Sequence, residues 1–143
     1  MPTSFQTKRR IEFADTDMAG IVHFANFFRF MEAAEQEFLR SRGLSVSMDW
    51  NGEAIGFPRV SATCDYFKPA QFEDLLNVSV RVEKVGRKSV TYTIEFHRDG
   101  ELLARGQVSS VCCRVLGERK LEAMEIPRAF RQRLEQPAGN ESR

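Results

Sequence analysis

Asp17 is the carboxylate best placed in this sequence to take part in chemistry. It follows a predicted strand, and three residues later Gly20 lets the backbone approach another group closely. A helix is predicted to begin at Asn26, and a helix N-terminus offers unpaired N–H groups and a positive dipole end. A carboxylate beside preorganised donors suits acyl transfer, which needs an attacking or water-activating group and an oxyanion site. The same spacing also fits an aspartate that only caps a turn.

Glu32 and Glu35 are lesser catalytic candidates because they flank the apolar stripe of the predicted helix, from which a carboxylate can reach a cleft. The alternative is that both are solvated boundary residues. His23 near the helix start is a possible general base, whereas His97 stands at a predicted hairpin. The sequence has no Gly-x-Ser-x-Gly motif, Cys–His pair or metal-ligand spacing, so neither a Ser or Cys triad nor a metal site is predicted.

A basic turn is predicted between two strands, at Arg87, Lys88 and Ser89 after Gly86. Such a turn can bind an anionic group. The alternative is an ordinary hairpin turn with two solvated charges.

Length, charge and cysteine content exclude several classes of protein. A chain of 143 residues fits one domain, which we predict over residues 1–135, with a polar tail at residues 136–143. The net charge of +1 disfavours a nucleic-acid partner, and no apolar run is long enough to span a bilayer. The N-terminus lacks a secretory signal, and three cysteines without paired spacing do not form a disulfide framework or a zinc site. These features predict a soluble, cytoplasmic protein.

One long amphipathic helix is predicted from Asn26, with Asn26 as N-cap and Gly43 as the residue that ends it. Its apolar stripe recurs with helical period at Phe27, Phe30, Met31, Ala34 and Phe38.

Strands with period-2 alternation precede and follow this helix. The first is predicted over residues 7–14, and the last over residues 102–116 with a bulge near Ser109, after a hairpin at Asp99. A short C-terminal helix is predicted from Pro127. The order of elements indicates an α+β domain with one helix on a five-stranded antiparallel sheet. Because one helix covers only part of such a sheet, we expect a dimer or higher oligomer.

Residues 10–27 resemble the signature of the hotdog-fold acyl-CoA thioesterases, in particular the 4-hydroxybenzoyl-CoA thioesterase type. The shared pattern is Asp-x-x-Gly-[Ile/Val]-Val, then an aromatic residue or His, then Asn or Ser followed by an aromatic residue. Here that pattern is carried by Asp17, Gly20, Ile21, Val22, His23, Asn26 and Phe27. The element order and the length also match that fold.

The resemblance implies a hotdog fold, with the sheet wrapped around a long central helix, and active sites at the interface of a homodimer that can pair further into a homotetramer. It assigns the catalytic carboxylate to Asp17 and the oxyanion donors to backbone N–H groups near His23 and Phe24. It places contacts with CoA at Arg87, Lys88 and Ser89. The implied reaction is hydrolysis of an acyl- or aroyl-CoA to a carboxylic acid and CoA, with no cofactor. Asp17 would act as a nucleophile or as a general base toward water.

Two alternatives remain open at this stage. The chain could be a non-catalytic module that binds acyl thioesters. It could also be a hotdog hydratase or dehydratase, although the paired His and acidic residue of those enzymes are not present in the expected motif.

Overall fold

The main sheet has five antiparallel strands: β1 (Ser4–Arg10), β4 (Arg59–Tyr66), β5 (Leu75–Val85), β6 (Ser89–Arg98) and β7 (Glu101–Val111). A computed structural model, which describes residues 4–137, places them in the order β1-β5-β6-β7-β4. The predicted five-stranded antiparallel sheet is therefore confirmed. Most of the predicted polar tail, residues 138–143, lies outside the described residues.

The long helix α1 (Asn26–Ser41) packs its apolar stripe against this sheet. All five residues of the predicted stripe are buried. Gly106 on β7 lets the helix approach closely, because a Cβ at that position would overlap Met31 Sδ. Gly43 ends the helix with a φ of +72°, as predicted. These contacts fix the position of the N-terminus of α1 relative to the sheet.

A second sheet was not predicted from the sequence. It has four strands in the order β2-β3-β8-β9: β2 (Ser47–Trp50), β3 (Glu53–Gly56), β8 (Cys113–Gly117) and β9 (Lys120–Ala123). Asn51 and Gly52 form the tight turn between β2 and β3, with φ of +50° and +86°. The predicted last strand divides at Cys112 into β7 and β8.

Several boundaries also differ from the prediction. β1 ends at Arg10 because the Asp15 carboxylate accepts the Glu12 N–H at 2.8 Å and a 3₁₀ turn follows. The bulge lies on β4, where Val60 is the extra residue, and not on the partner strand. Pro127 is the N-cap of the short helix α2 (Arg128–Leu134) and not its first residue.

β4 is an edge of the main sheet, and most of its residues are exposed. Val60 retains 63% of its accessible surface. No helix within residues 4–137 is both long and apolar enough to cross a membrane.

Candidate active site

Asp17 lies on a tight loop, residues 16–23, which we call the Asp17 loop. An isolated antiparallel bridge closes its base, and the Asp17 N–H donates to the Ile21 carbonyl at 2.8 Å. Gly20 donates its N–H to the Asp17 carbonyl at 3.0 Å and has a φ of +83°, which side-chain-bearing residues rarely adopt. The glycine of the sequence motif is therefore required by the turn.

The Asp17 loop is held against the segment that joins β4 to β5. Val22 donates its N–H to the Ala70 carbonyl at 2.8 Å, and Ile21 forms an isolated bridge with Gln71. Both contacts restrain the loop at the side that leads into α1. The position of the Asp17 carboxylate is thus set by backbone hydrogen bonds.

The Asp17 side chain is half-buried and partly engaged. One oxygen, Oδ1, accepts the Ala19 N–H at 2.8 Å, so the aspartate does cap a turn. Its side chain also lines an open depression of about 610 Å³ with Phe13, Met18 and Phe72. These three apolar side chains are exposed together, and an exposed apolar patch is typical of a surface that another molecule covers.

The two predicted oxyanion donors differ in availability. The His23 N–H already donates to the Asp15 carbonyl at 2.9 Å. By contrast, the Phe24 N–H has no acceptor among residues 4–137. The His23 ring is also engaged, because its Nδ1 accepts the Ala25 N–H at 3.2 Å. Phe24 therefore presents the one unengaged N–H of the two.

Asn26 ties the helix start to the residues before the Asp17 loop, rather than capping the helix as predicted. Its Nδ2 donates to the Asp15 carbonyl at 2.8 Å, and the N-cap position belongs to Ala25. The same carbonyl accepts the His23 N–H. Asp15 thereby holds both ends of the segment that carries the Phe24 N–H.

Tyr66, at the end of β4, is a site residue that the sequence analysis treated only as part of a strand. Its hydroxyl donates to the Phe24 carbonyl at 2.9 Å, and its ring meets Phe24 and Phe27 edge-on. Burial raises the pKa of Tyr66 to about 12, which keeps the hydroxyl protonated as a donor. The three rings line a cavity of about 450 Å³ that Lys68 also borders. An aromatic residue at a strand end was the only sequence signal.

The two helical glutamates lie away from the Asp17 loop. Glu35 is eleven residues past Phe24, or about 16 Å along the helix axis. It is 1% exposed, and Arg59 of β4 donates to its Oε1. Burial raises the pKa of Glu35, while the hydrogen bond and charge of Arg59 act in the opposite direction. Glu32 is exposed, and both glutamates line a second cavity, of about 350 Å³, between α1 and β4.

The basic turn and the Asp17 loop stand at opposite ends of β5. Gln71, which contacts the loop, shortly precedes β5, and Arg87 follows the end of that strand, so about 30 Å of strand separates them. Two contacts with the C-terminal part of the chain hold the turn in place: Arg131 donates to the Gly86 carbonyl at 2.6 Å, and Arg87 forms an ion pair with Glu125 at 2.7 Å. One chain alone does not bring the predicted CoA contacts to Asp17.

Comparison with known proteins supports the fold and the enzyme class. A family model described as the thioesterase superfamily matches residues 19–105. The chain is 32% identical over 126 residues to a 1,4-dihydroxy-2-naphthoyl-CoA hydrolase of Synechocystis, covering 87% of this chain and 91% of that protein. It is 31% identical over 134 residues to a 4-hydroxybenzoyl-CoA thioesterase of Pseudomonas, covering 89% and 94%.

A solved structure gives the same result. The 4-hydroxybenzoyl-CoA thioesterase from Pseudomonas superposes with a TM-score of 0.80 at 28% identity, over 92% of this chain and 99% of that one. The hotdog fold expected from the sequence is thereby confirmed.

Proposed function

The chain belongs to the thioesterase superfamily and is a thioester hydrolase, and from that premise we propose that it hydrolyses acyl- or aroyl-CoA to a carboxylic acid and CoA. One observation carries the proposal. The Asp17 carboxylate and the unengaged Phe24 N–H are presented by one continuous segment at the start of α1. A carbonyl that accepts from the Phe24 N–H also receives the field of the helix N-terminus.

The oxyanion is the main energetic problem in this reaction. Charge grows on the carbonyl oxygen as the tetrahedral intermediate forms, and the Phe24 N–H donates to it. Removing one such donor typically costs about 2.7–4 kcal/mol of transition-state stabilisation. The leaving thiol has a pKa near about 8.5, so CoA departs as a thiolate with little help from a general acid.

Asp17 has two routes to the same products. As nucleophile, its carboxylate attacks the carbonyl carbon, the C–S bond breaks, and water then hydrolyses the resulting anhydride. As general base, it takes a proton from a water molecule whose oxygen attacks the carbonyl carbon, and the tetrahedral intermediate then expels CoA as the C–S bond breaks. The Ala19 N–H engages Oδ1, and the Asp17 side chain lines the depression beside Phe72, where a thioester can reach its second oxygen. Both routes use only water, the Asp17 carboxylate and the Phe24 backbone N–H.

The position of the basic turn implies that the complete site is formed by two subunits. We propose that Arg87, Lys88 and Ser89 reach the CoA moiety from a second subunit, because within one chain the turn is remote from Asp17. The exposed edge of β4 offers a place for a second copy to add to the sheet. A homodimer is therefore the smallest complete unit, and two such dimers can form a homotetramer. Free cysteines support a cytoplasmic location.

Thiol release from a panel of acyl- and aroyl-CoA thioesters tests the function. Asp17→Asn should abolish most turnover while circular dichroism stays unchanged. Asp99→Asn is the matched control: it makes the same chemical change at an exposed hairpin residue whose positive φ asparagine tolerates, and it should keep full activity.

The remaining outcomes identify the alternatives. Full turnover in Asp17→Asn would move the catalytic role to Glu32 or Glu35. Binding without thiol release would favour the non-catalytic module. Loss of enoyl absorbance without thiol release would favour a hydratase.

A further inference from the structure

Arg131, on the short helix α2, has no role in the chemistry derived above, yet its guanidinium contacts the basic turn at several points. Nη1 donates to the Val85 carbonyl at 3.2 Å, and Nη2 donates to the Gly86 carbonyl at 2.6 Å. Nη2 also donates to the Arg87 carbonyl, at 3.5 Å. Hydrogen bonds from a charged donor are stronger than those between neutral groups. One guanidinium therefore restrains three successive carbonyls at the start of the turn.

Two backbone donors hold the rest of the turn in the same orientation. The Arg87 carbonyl also accepts the Ile126 N–H at 2.9 Å, and the Lys88 carbonyl accepts the Cys112 N–H at 2.7 Å. All four carbonyls of residues 85–88 are therefore bonded to the body of the protein.

The peptide N–H groups of the turn must then point the other way. In a trans peptide the C=O of one residue and the N–H of the next are antiparallel, and no cis peptide occurs within residues 4–137. The inward carbonyls of Gly86 and Arg87 thus direct the N–H groups of Arg87 and Lys88 outward. Neither N–H has an acceptor among the described residues. Successive N–H groups presented on one side of a turn favour an anion.

We propose that Arg131 is a positioning residue for CoA: by holding the carbonyls of the turn inward, it keeps the N–H groups of Arg87 and Lys88 presented to a phosphate of the CoA moiety. This inference rests on the proposed contact between the basic turn and CoA. Glu125 pairs with the Arg87 side chain and offsets its charge, so the two N–H groups are the donors of the turn that remain free. Arg131 acts through these peptide groups rather than by touching the phosphate.

Two thioesters of the same acyl group isolate the contribution of the nucleotide part of CoA. One is the CoA thioester, and the other is the N-acetylcysteamine thioester, which has the same reacting group but no phosphate. The acyl group is the one that the panel of CoA thioesters identifies as the best substrate.

Arg131→Met should affect only the CoA thioester. We expect its KM to rise about tenfold, the effect of losing one hydrogen bond to a charged group, while kcat stays near the parent value. KM and kcat for the N-acetylcysteamine thioester should not change, because that substrate makes no contact with the turn.

Arg133→Met is the matched control. Arg133 lies on the same helix, and its guanidinium also donates to a backbone carbonyl, but to that of Gly43, at 3.3 Å, at the end of α1. This variant removes the same charge and should leave KM for both thioesters unchanged. Arg131→Lys keeps the charge, but an ammonium lacks the planar fork that bonds two carbonyls together, so KM for the CoA thioester should stay raised.

A further pair of variants separates the peptide groups of the turn from its side chains. The double variant Arg87→Met, Lys88→Met removes both charges of the turn and retains its N–H groups. Arg131→Met added to this double variant should raise KM for the CoA thioester by a further factor of similar size. No further rise would overturn the inference, because Arg131 would then act through the two side chains.

The results that contradict the inference differ from those that contradict the function. A rise in KM for both thioesters in Arg131→Met would show a general structural role, and full recovery in Arg131→Lys would show an effect of charge alone; either result would overturn the inference. Equal kcat/KM for the two thioesters in the parent would overturn it as well and leave the thioesterase function standing. If no CoA thioester releases thiol, the proposed function is wrong, and a tenfold weaker affinity of Arg131→Met for free CoA, measured by calorimetry, would still support the role of Arg131.

Discussion

Removing the Tyr66 hydroxyl tests whether the edge strand positions the oxyanion donor. In Tyr66→Phe the ring contacts with Phe24 and Phe27 remain, and only the 2.9 Å hydrogen bond to the Phe24 carbonyl is lost. That carbonyl still accepts the Phe27 N–H at 3.2 Å, so it is not left unsatisfied. The expected cost in folding free energy is therefore about 1 kcal/mol, that of one ordinary hydrogen bond.

The effect on catalysis should be separable from the effect on stability. Phe24 carries the proposed donor on its N–H and is held by Tyr66 through its carbonyl. If the whole hydrogen-bond energy of about 1 kcal/mol contributes to transition-state stabilisation, its loss raises the activation free energy by that amount and lowers kcat approximately fivefold. KM should stay near that of the parent, because the hydroxyl is bonded to the backbone and is not free for the substrate.

Thiol-release kinetics and thermal unfolding, measured on the same preparation, separate the effect on kcat from the effect on stability. Ser41→Ala is a matched control, since the Ser41 hydroxyl also donates to a backbone carbonyl of α1, that of Phe38 at 2.6 Å, but at the opposite end of the helix. Both variants should lower Tm similarly, and only Tyr66→Phe should lower kcat. An unchanged kcat in Tyr66→Phe would refute the positioning argument.

Two further predictions concern assembly and pH. Sedimentation equilibrium should give at least twice the chain mass of 16.4 kDa. Val60→Lys on the exposed edge strand β4 should weaken subunit association and lower activity toward CoA thioesters in parallel. A fully active monomer would contradict a site formed by two subunits. Because burial raises the pKa of Glu35 above its ordinary 4.5, the folded state holds that proton longer than the unfolded state, and stability should fall as pH rises from about 4.5 through the raised pKa. Glu35→Gln should lack this decline in urea unfolding, and parallel curves for the two proteins would show that Glu35 titrates as an ordinary carboxyl.

Long periodic segments made the main elements predictable from the sequence. The stripe of α1 and the alternation in β5 and β6 each extend over ten or more residues, so their burial patterns are unambiguous. The second sheet was missed because β2, β3 and β9 have four residues each: β2 has no fully buried residue, β3 buries only the consecutive Ile55 and Gly56, and β9 is exposed throughout. Four residues are too few to show a clear alternation of apolar and polar side chains, although the Asn51-Gly52 pair is a hairpin signal.

The site was predictable only as far as local sequence determines it. Asp17 and Gly20 belong to one turn, which their spacing in the sequence predicts. The sequence does not show which backbone N–H groups are free of hydrogen bonds. That depends on the position of the Asp15 carbonyl in the fold, which accepts the His23 N–H. The contact between Glu35 and Arg59 joins residues far apart in the chain, and no periodicity links them.

The separation between the Asp17 loop and the α1–β4 cavity has an evolutionary consequence. The Asp17 loop is positioned mainly by backbone hydrogen bonds, within the loop and to the Asp15 and Ala70 carbonyls, whereas the cavity walls are side chains of α1, β4 and β7. Mutations in those walls can accumulate without moving the carboxylate or the Phe24 N–H. A lineage built on this arrangement can vary the side chains of that cavity by a few substitutions, at positions such as 28 and 62, while the geometry of the Asp17 loop is inherited unchanged.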